Sequence, residues 1–401
     1  VSGAYCFLHT GDEQMNDRGH VLGLKMMKAI LTLMLFALSA ASCGKREQPS
    51  SLKEEWNQQN DPLNFLPNDF ERRFSALPMT AQLEKQPWSD SYWPSYLGGI
   101  ALRWNTPFNG YENSWRYRAL PYRRIMRMDM VRLAQLSPAE KFDILNSDYS
   151  YTLLRHERNR ARPNAPQWEG LCHGWATAAL NLEEPKAVMM TNAEGIEIPF
   201  GSGDIKALID LYVGNFSDAR TYFVAERCNI DLSRNPGAAS NPACRDTNAG
   251  TFHLVLANQI GIKREGFVAD ITRDLQVWNH PVYGFTSQIV TEVNGASPGA
   301  APGTVKEVTI ETLMNFISEA GSHWDHGITN TPSRKYNYRL ELNAEGQIIG
   351  GAWLDDNRPD FLWKQDAPAF KDVGALRFSS LQSLYEKSIN TPGALSNPIG
   401  N

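Results

Sequence analysis

The chain has no long apolar run. Its best stretch, Ala29 to Leu38, holds ten mostly apolar residues, and a membrane helix needs about twenty. Charge is sparse as well, at 21% of residues with a net charge of −5. That balance leaves no basic footprint for a nucleic-acid partner, and none is expected. No internal repeat is visible, which excludes a solenoid or propeller. What is abundant is apolar and aromatic matter, 42% and 10% of the 401 residues, with 11 Trp. A chain of that length and composition buries one large core or two ordinary ones and is not disordered. Indoles gather in cores, clefts and interfaces, and for most of the 11 the plain reading is packing.

The apolar stretch has a different use. Lys25 and Lys28 precede it, and Ser39-Ala40-Ala41-Ser42-Cys43 follows. A basic start, a short apolar centre and a small-residue site are the parts of a secretory signal. Cys43 directly after that site resembles the lipidated cysteine of a bacterial lipoprotein, although Leu38 stands five places before it rather than three. The expectation is an exported chain, a cell-envelope lipoprotein or a secreted protein, touching membrane only through a lipid anchor. Residues 1–25 read as an over-extended leader, 26–43 as the signal and 44–61 as a polar flexible tether.

Export makes the five cysteines informative. Cys6 and Cys43 belong to the leader and the signal, and Cys228 and Cys244 flank an Asn/Pro/Gly/Ala/Ser loop of 15 residues. These two are expected to pair, closing a loop worth roughly 3 kcal/mol in the chain-entropy account. Cys172 is then left alone, and an unpaired thiol in an oxidising compartment is buried or used.

The fold class expected is α+β. Residues 62–166 read as mainly helical, with Ser137-Pro138-Ala139-Glu140 a capping box that starts a helix running to about Asn146. The arginines of this region read as solvated helix faces and ion pairs. Residues 167–390 carry strands, expected over 222–226, 252–260, 266–271, 305–310, 336–342 and 347–353, with a hairpin turn at Asn343–Gly346. Residues 391–401 read as a disordered tail. Helices first and an antiparallel sheet later define the class.

The chemistry centres on Gln167-Trp168-Glu169-Gly170-Leu171-Cys172-His173-Gly174-Trp175-Ala176, which leaves a Pro/Asn loop and enters an alanine-rich helix. In a first helical turn, aligned dipoles and free N–H groups favour a thiolate and can bind an oxyanion. A buried, inert cysteine is the plain alternative. A thiolate needs a base and the base an orienter. His253 lies in Thr251-Phe-His-Leu-Val-Leu-Ala-Asn258, which alternates like a strand, and Asp270 ends the next strand. Cysteine on a helix, histidine on a strand and aspartate on the next follow the papain–transglutaminase order. A symmetric hairpin would pair His253 with Asp274, a shifted turn with Asp270, and Asn279 would serve a Cys-His-Asn site; periodicity leaves all three open.

Longer motifs are more specific. Trp168-Glu-Gly-Leu-Cys172-His-Gly-Trp175, Phe252-His253-Leu-Val255 and Val277-Trp278-Asn279-His280-Pro281-Val282-Tyr283-Gly284-Phe285 together resemble the transglutaminase elicitor family, with His280 and Tyr283 in its variable places. Trp93-Pro94, Gly98–Ala101, Leu136–Lys141, Ile349–Trp353 and Pro359–Trp363 extend the likeness over roughly residues 88–365. The resemblance implies a papain-like core with a nucleophile helix packed on an antiparallel sheet. It implies Cys172 as nucleophile, His253 as base and Asp270 as orienter. It implies γ-glutamyl transfer from glutamine- to lysine-containing proteins or peptides, assisted by calcium. No cofactor is required by the residues themselves, and the one acidic cluster is Asp355-Asp356-Asn357 with Asp360. Gln167 is a candidate oxyanion donor, Trp168, Trp175 and Trp278 candidate walls against water, and Asn279 a brace beside the site. The rival functions are a cysteine protease or amidase using the same triad, and a non-catalytic envelope lipoprotein.

Overall fold

The computed structural model describes residues 56–66, 70–106, 114–241, 244–273 and 275–400. The signal-like stretch, Cys43 and Asp274 lie outside the described residues. Helices are α1 (Tyr122–Ile125), α2 (Met130–Ala134), α3 (Pro138–Leu145), α4 (Thr152–Arg160), α5 (Cys172–Asn181), α6 (Ser202–Asn215), α7 (Ala249–Val255) and α8 (Ser379–Asn390). Strands are β1 (Thr80–Gln82), β2 (Val188–Thr191), β3 (Glu197–Phe200), β4 (Thr221–Val224), β5 (Phe267–Asp270), β6 (Asn279–Asn294), β7 (Lys306–Phe316), β8 (Ser333–Leu342), β9 (Ile348–Trp353) and β10 (Leu362–Gln365).

The capping box forms as expected. The Ser137 hydroxyl accepts from the Glu140 N–H, the Glu140 carboxylate accepts from the Ser137 N–H, and α3 follows with Pro138 in its first turn. The rest of the helical region is short helices and 3₁₀ turns rather than long helices. Its side chains Trp93 and Phe142 join Trp175 of α5 and Tyr212 of α6 in one apolar cluster, so the helical region and the cysteine-bearing helix share a core. α5 and α6 pack very closely, because Gly174 has no Cβ. A Cβ there would stand 2.0 Å from the Asp210 carbonyl oxygen.

The main sheet is antiparallel with order β4-β10-β5-β6-β7-β8-β9, and β1 adds to β6. Five of the six expected strand positions carry strands. The exception is 252–260, which is α7 continuing as a π-helix over Leu256–Ile262. Asn248 caps it, its side chain accepting from the Gly250 and Thr251 N–H groups. Phe252, Leu254, Val255, Leu256, Ala257 and Ile260 are all buried in a second cluster under the sheet. An element apolar all round carries no helical stripe, and a short apolar run of this kind reads equally well as a strand.

Residues near both ends of the described region are held by hydrogen bonds where a tether and a tail are expected. Asn60 is buried and holds Asn248 and Asp246, so the tether is docked by residue 60. The tail expected to be disordered packs back, with the Trp324 indole donating to the Leu395 carbonyl at 2.7 Å. Cys228 and Cys244 form a disulfide with Cα atoms 4.4 Å apart, and Cys172 is free and buried.

Candidate active site

Cys172 opens α5 where the preceding loop is clamped from one side. The Leu171 N–H donates to the Tyr92 carbonyl at 2.6 Å. Gly170 lies so close to the same carbonyl that a Cβ would stand 2.2 Å from it. The thiol is 4% exposed. Its Sγ lies 3.7 Å from the Val277 carbonyl oxygen, to which it donates, and 3.7 Å from Nδ2 of Asn279, from which it accepts. Asn279 opens β6 opposite Asp270. Its Oδ1 accepts from the Trp363 indole at 2.8 Å. Trp363, on β10, is in register with Phe223 of β4, and the two rings stack at 5.5 Å with 7° between planes.

These side chains border a cleft of ≈ 930 Å³ whose walls include Trp168, Phe223, Phe361 and Trp363, with Glu226 and Arg227 at its polar side. Burial pushes the Cys172 thiol up to about 11, against the pull of the Asn279 backbone and side-chain N–H groups; the charges of Glu319 and Asp270 add to the rise. In this conformation burial holds the thiol in its neutral form, against the thiolate expected from the helix start. Desolvation outweighs the two Asn279 hydrogen bonds.

The expected triad is not assembled. His253 lies on α7, not on a strand, and Nδ1 is bonded to the Tyr338 hydroxyl at 2.8 Å. Its Nε2 is buried with no hydrogen-bond partner, so neither ring nitrogen is bonded to Sγ. Burial pushes the imidazole down to about 4. Asp270 is not bonded to His253 either. Its Oδ1 accepts from the Thr272 N–H and hydroxyl and the Trp278 N–H, while Oδ2 is buried and unpartnered. Burial raises this carboxyl to about 6. Asp270 thus braces the loop that carries Val277 and Trp278 over the cysteine.

Gln167 is exposed and contributes its backbone carbonyl, which accepts from the Tyr92 hydroxyl at 2.8 Å. The side-chain amide beside the sulfur is that of Asn279. Trp168 does line the cleft, with the Arg227 guanidinium 5.6 Å over its ring. Trp278 packs edge-on to Tyr92 at 5.4 Å. Trp175 is core, its indole donating to the Trp88 carbonyl. His280 is buried edge-on against Trp175, with Nδ1 at 3.0 Å from the Ile317 carbonyl and 3.9 Å from Glu319. Trp363 and Phe223 are not among the site residues expected from sequence, although Pro359–Trp363 belongs to the family likeness and Phe223 to an expected strand.

Calcium takes six to eight oxygens at one point. Asp355 accepts from Asn357 and Asn337, Asp356 pairs with Arg273, and Asp360 is buried beneath them on the Cys228 N–H. Burial and the neighbouring Asp246 and Asp270 raise the Asp360 carboxyl to about 9. Among the described residues no group of three or more His, Cys, Asp or Glu could hold a metal ion. This acidic cluster does not gather the oxygens that calcium takes.

A free cysteine opening a helix that packs on an antiparallel sheet, beside an aromatic cleft, defines a transglutaminase-like α+β fold. The crystal structure of the GP42 transglutaminase from Phytophthora sojae is similar, with TM-score 0.62 and 22% identity, covering 84% of this chain and 99% of that one. The transglutaminase elicitor family model matches residues 62–391, and the chain belongs to that family. No curated protein matches it.

Proposed function

We propose that the chain is a protein-glutamine γ-glutamyltransferase whose nucleophile is Cys172. The observation that carries this reading is the free thiol at the start of α5, bordering an aromatic-walled cleft with the Asn279 amide on its sulfur. The sulfur attacks the carbon of a glutamine carboxamide, the C–N bond breaks, and ammonia leaves with the thiol proton. A lysine or other amine then attacks the thioester, forming the isopeptide bond and returning the thiol. The oxygen that becomes anionic in both steps would be met by Asn279 Nδ2, a preorganised donor of the kind that lowers such barriers most. The aromatic walls would keep water from the thioester, whose hydrolysis competes. Export through the amino-terminal signal, with Cys43 as lipid acceptor, belongs to the same proposal, and the disulfide is compatible with it.

One observation favours a second reading. Burial pushes the thiol up, which disfavours its thiolate, and neither nitrogen of His253 is hydrogen-bonded to it. On that reading the chain is a non-catalytic family member. Incubating the protein with a glutamine peptide and a fluorescent alkylamine, while following ammonia and peptide cleavage, separates the cases. Amine incorporation with ammonia release supports transfer, cleavage supports a protease, ammonia alone an amidase, and none of these the non-catalytic reading.

A further inference from the structure

We propose that Trp363 is a positioning residue, whose indole N–H sets the orientation of the Asn279 carboxamide so that its NH₂ faces the Cys172 sulfur. This rests on the transferase reading for its catalytic consequence, but the geometry stands by itself. A carboxamide has a donor end and an acceptor end, and its two orientations differ only in where each points. An indole N–H can only donate. With Trp363 Nε1 at 2.8 Å, the acceptor end must face the indole, which leaves Nδ2 toward the sulfur 3.7 Å away. In the reverse orientation two donors would meet at the indole, and a carbonyl oxygen would face the sulfur. Asn279 is 3% exposed, so water would not relieve the clash of donors at the indole.

Trp363 is itself held. Its ring lies flat on Phe223, its direct partner across the β4–β10 pairing. β10 also pairs with β5, and β5 with β6, so the strand bearing the indole and the strand bearing the amide share β5 as a common neighbour. The amide is thereby locked from behind before substrate arrives. As the glutamine carbonyl is attacked, its oxygen gains charge next to a donor that needs no reorganisation, the condition under which such donors act.

The test uses Trp363→Phe, which keeps a ring against Phe223 and deletes the N–H, with Cys172→Ala as the blank. Amine incorporation into a glutamine peptide should fall about 10²-fold in kcat with KM unchanged. Iodoacetamide alkylation of Cys172 at fixed pH should slow roughly tenfold, because the sulfur loses a donor that favours its anion. Asn279→Ala should reproduce both effects, and the double variant should add nothing. Trp363→His, which retains a ring N–H, should recover part of both and serves if the Phe variant melts early. The proposal is overturned if Trp363→Phe alkylates and turns over like the parent, or if the two single losses multiply in the double variant. Wild-type protein that incorporates no amine, yet shows the expected alkylation pattern, would sink the transferase reading and leave the positioning role standing.

Discussion

Cys172 and His253 occupy contrasting pockets. The cysteine borders a cleft, its sulfur held by one carbonyl and one amide, with indole and phenyl rings arranged around the opening. The histidine is sealed between α7 and β8, flanked by Phe74 and Tyr338, and its bonded nitrogen starts a chain of hydroxyls. Tyr338 meets Thr312 at 2.7 Å, and Thr312 meets Ser287 at 2.7 Å. One pocket is open on a side where a substrate can enter, the other is filled by the protein's own groups. In this conformation a substrate can reach the first of these side chains and not the second. His253 is enclosed by the core, with one ring nitrogen paired and the other not.

The largest effect expected from this contrast is at the cysteine. Cys172→Ala should abolish amine incorporation, a loss of at least about 10⁴-fold, without loss of folding. Residual incorporation near the wild-type rate would remove the nucleophile from this site.

Next comes the amide beside it. Asn279→Ala should lower kcat about 10²-fold with little change in KM, measured by steady-state amine incorporation. A change confined to KM would make Asn279 a wall of the cleft rather than a donor.

Asp270→Ala should act through the loop it braces. Losing the acceptor for the Thr272 and Trp278 N–H groups should cost about 1–3 kcal/mol in a denaturant titration. Turnover should fall less than for Asn279→Ala. A collapse of activity in an equally stable variant would restore Asp270 to direct chemistry.

The smallest kinetic effect should be at His253. His253→Leu should leave turnover of the folded protein unchanged while altering how stability depends on pH. Burial lowers the imidazole to about 4 in the folded protein, below its ordinary value of 6.5. Between these values the unfolded chain binds the proton and the folded one does not, so stability falls as pH is lowered from 6.5 toward 4. The full penalty is roughly 3 kcal/mol, and it should be missing from the variant. Urea melts of both proteins at several pH values check this. A folded His253→Leu protein without amine incorporation would show that the two pockets meet in another conformation.

Part of this molecule follows from local chemistry. Ser137-Pro138-Ala139-Glu140 encodes a helix start in four residues, and α3 begins there. Asn343–Gly346 encodes a hairpin, and β8 and β9 flank it, with Gly346 at φ 73°. The helix opening at Cys172, the pairing of Cys228 with Cys244 and the family likeness are legible for the same reason. Each depends on residues close in the chain or on a motif read as a unit.

Other features depend on what the rest of the chain does. Residues 252–260 are an all-round apolar run, and only packing on every side makes them a helix. β6 runs from Asn279 to Asn294 although its second half is exposed on both faces, because β7 pairs along it. Asn279 and Trp363 are 84 positions apart and meet because β10 and β6 both pair with β5. Short-range propensity and capping are settled within a turn or two of backbone, so neighbouring residues suffice to specify them. Which buried polar groups share a partner, and which face a cleft, depends on long-range pairing and desolvation that no local run of residues encodes.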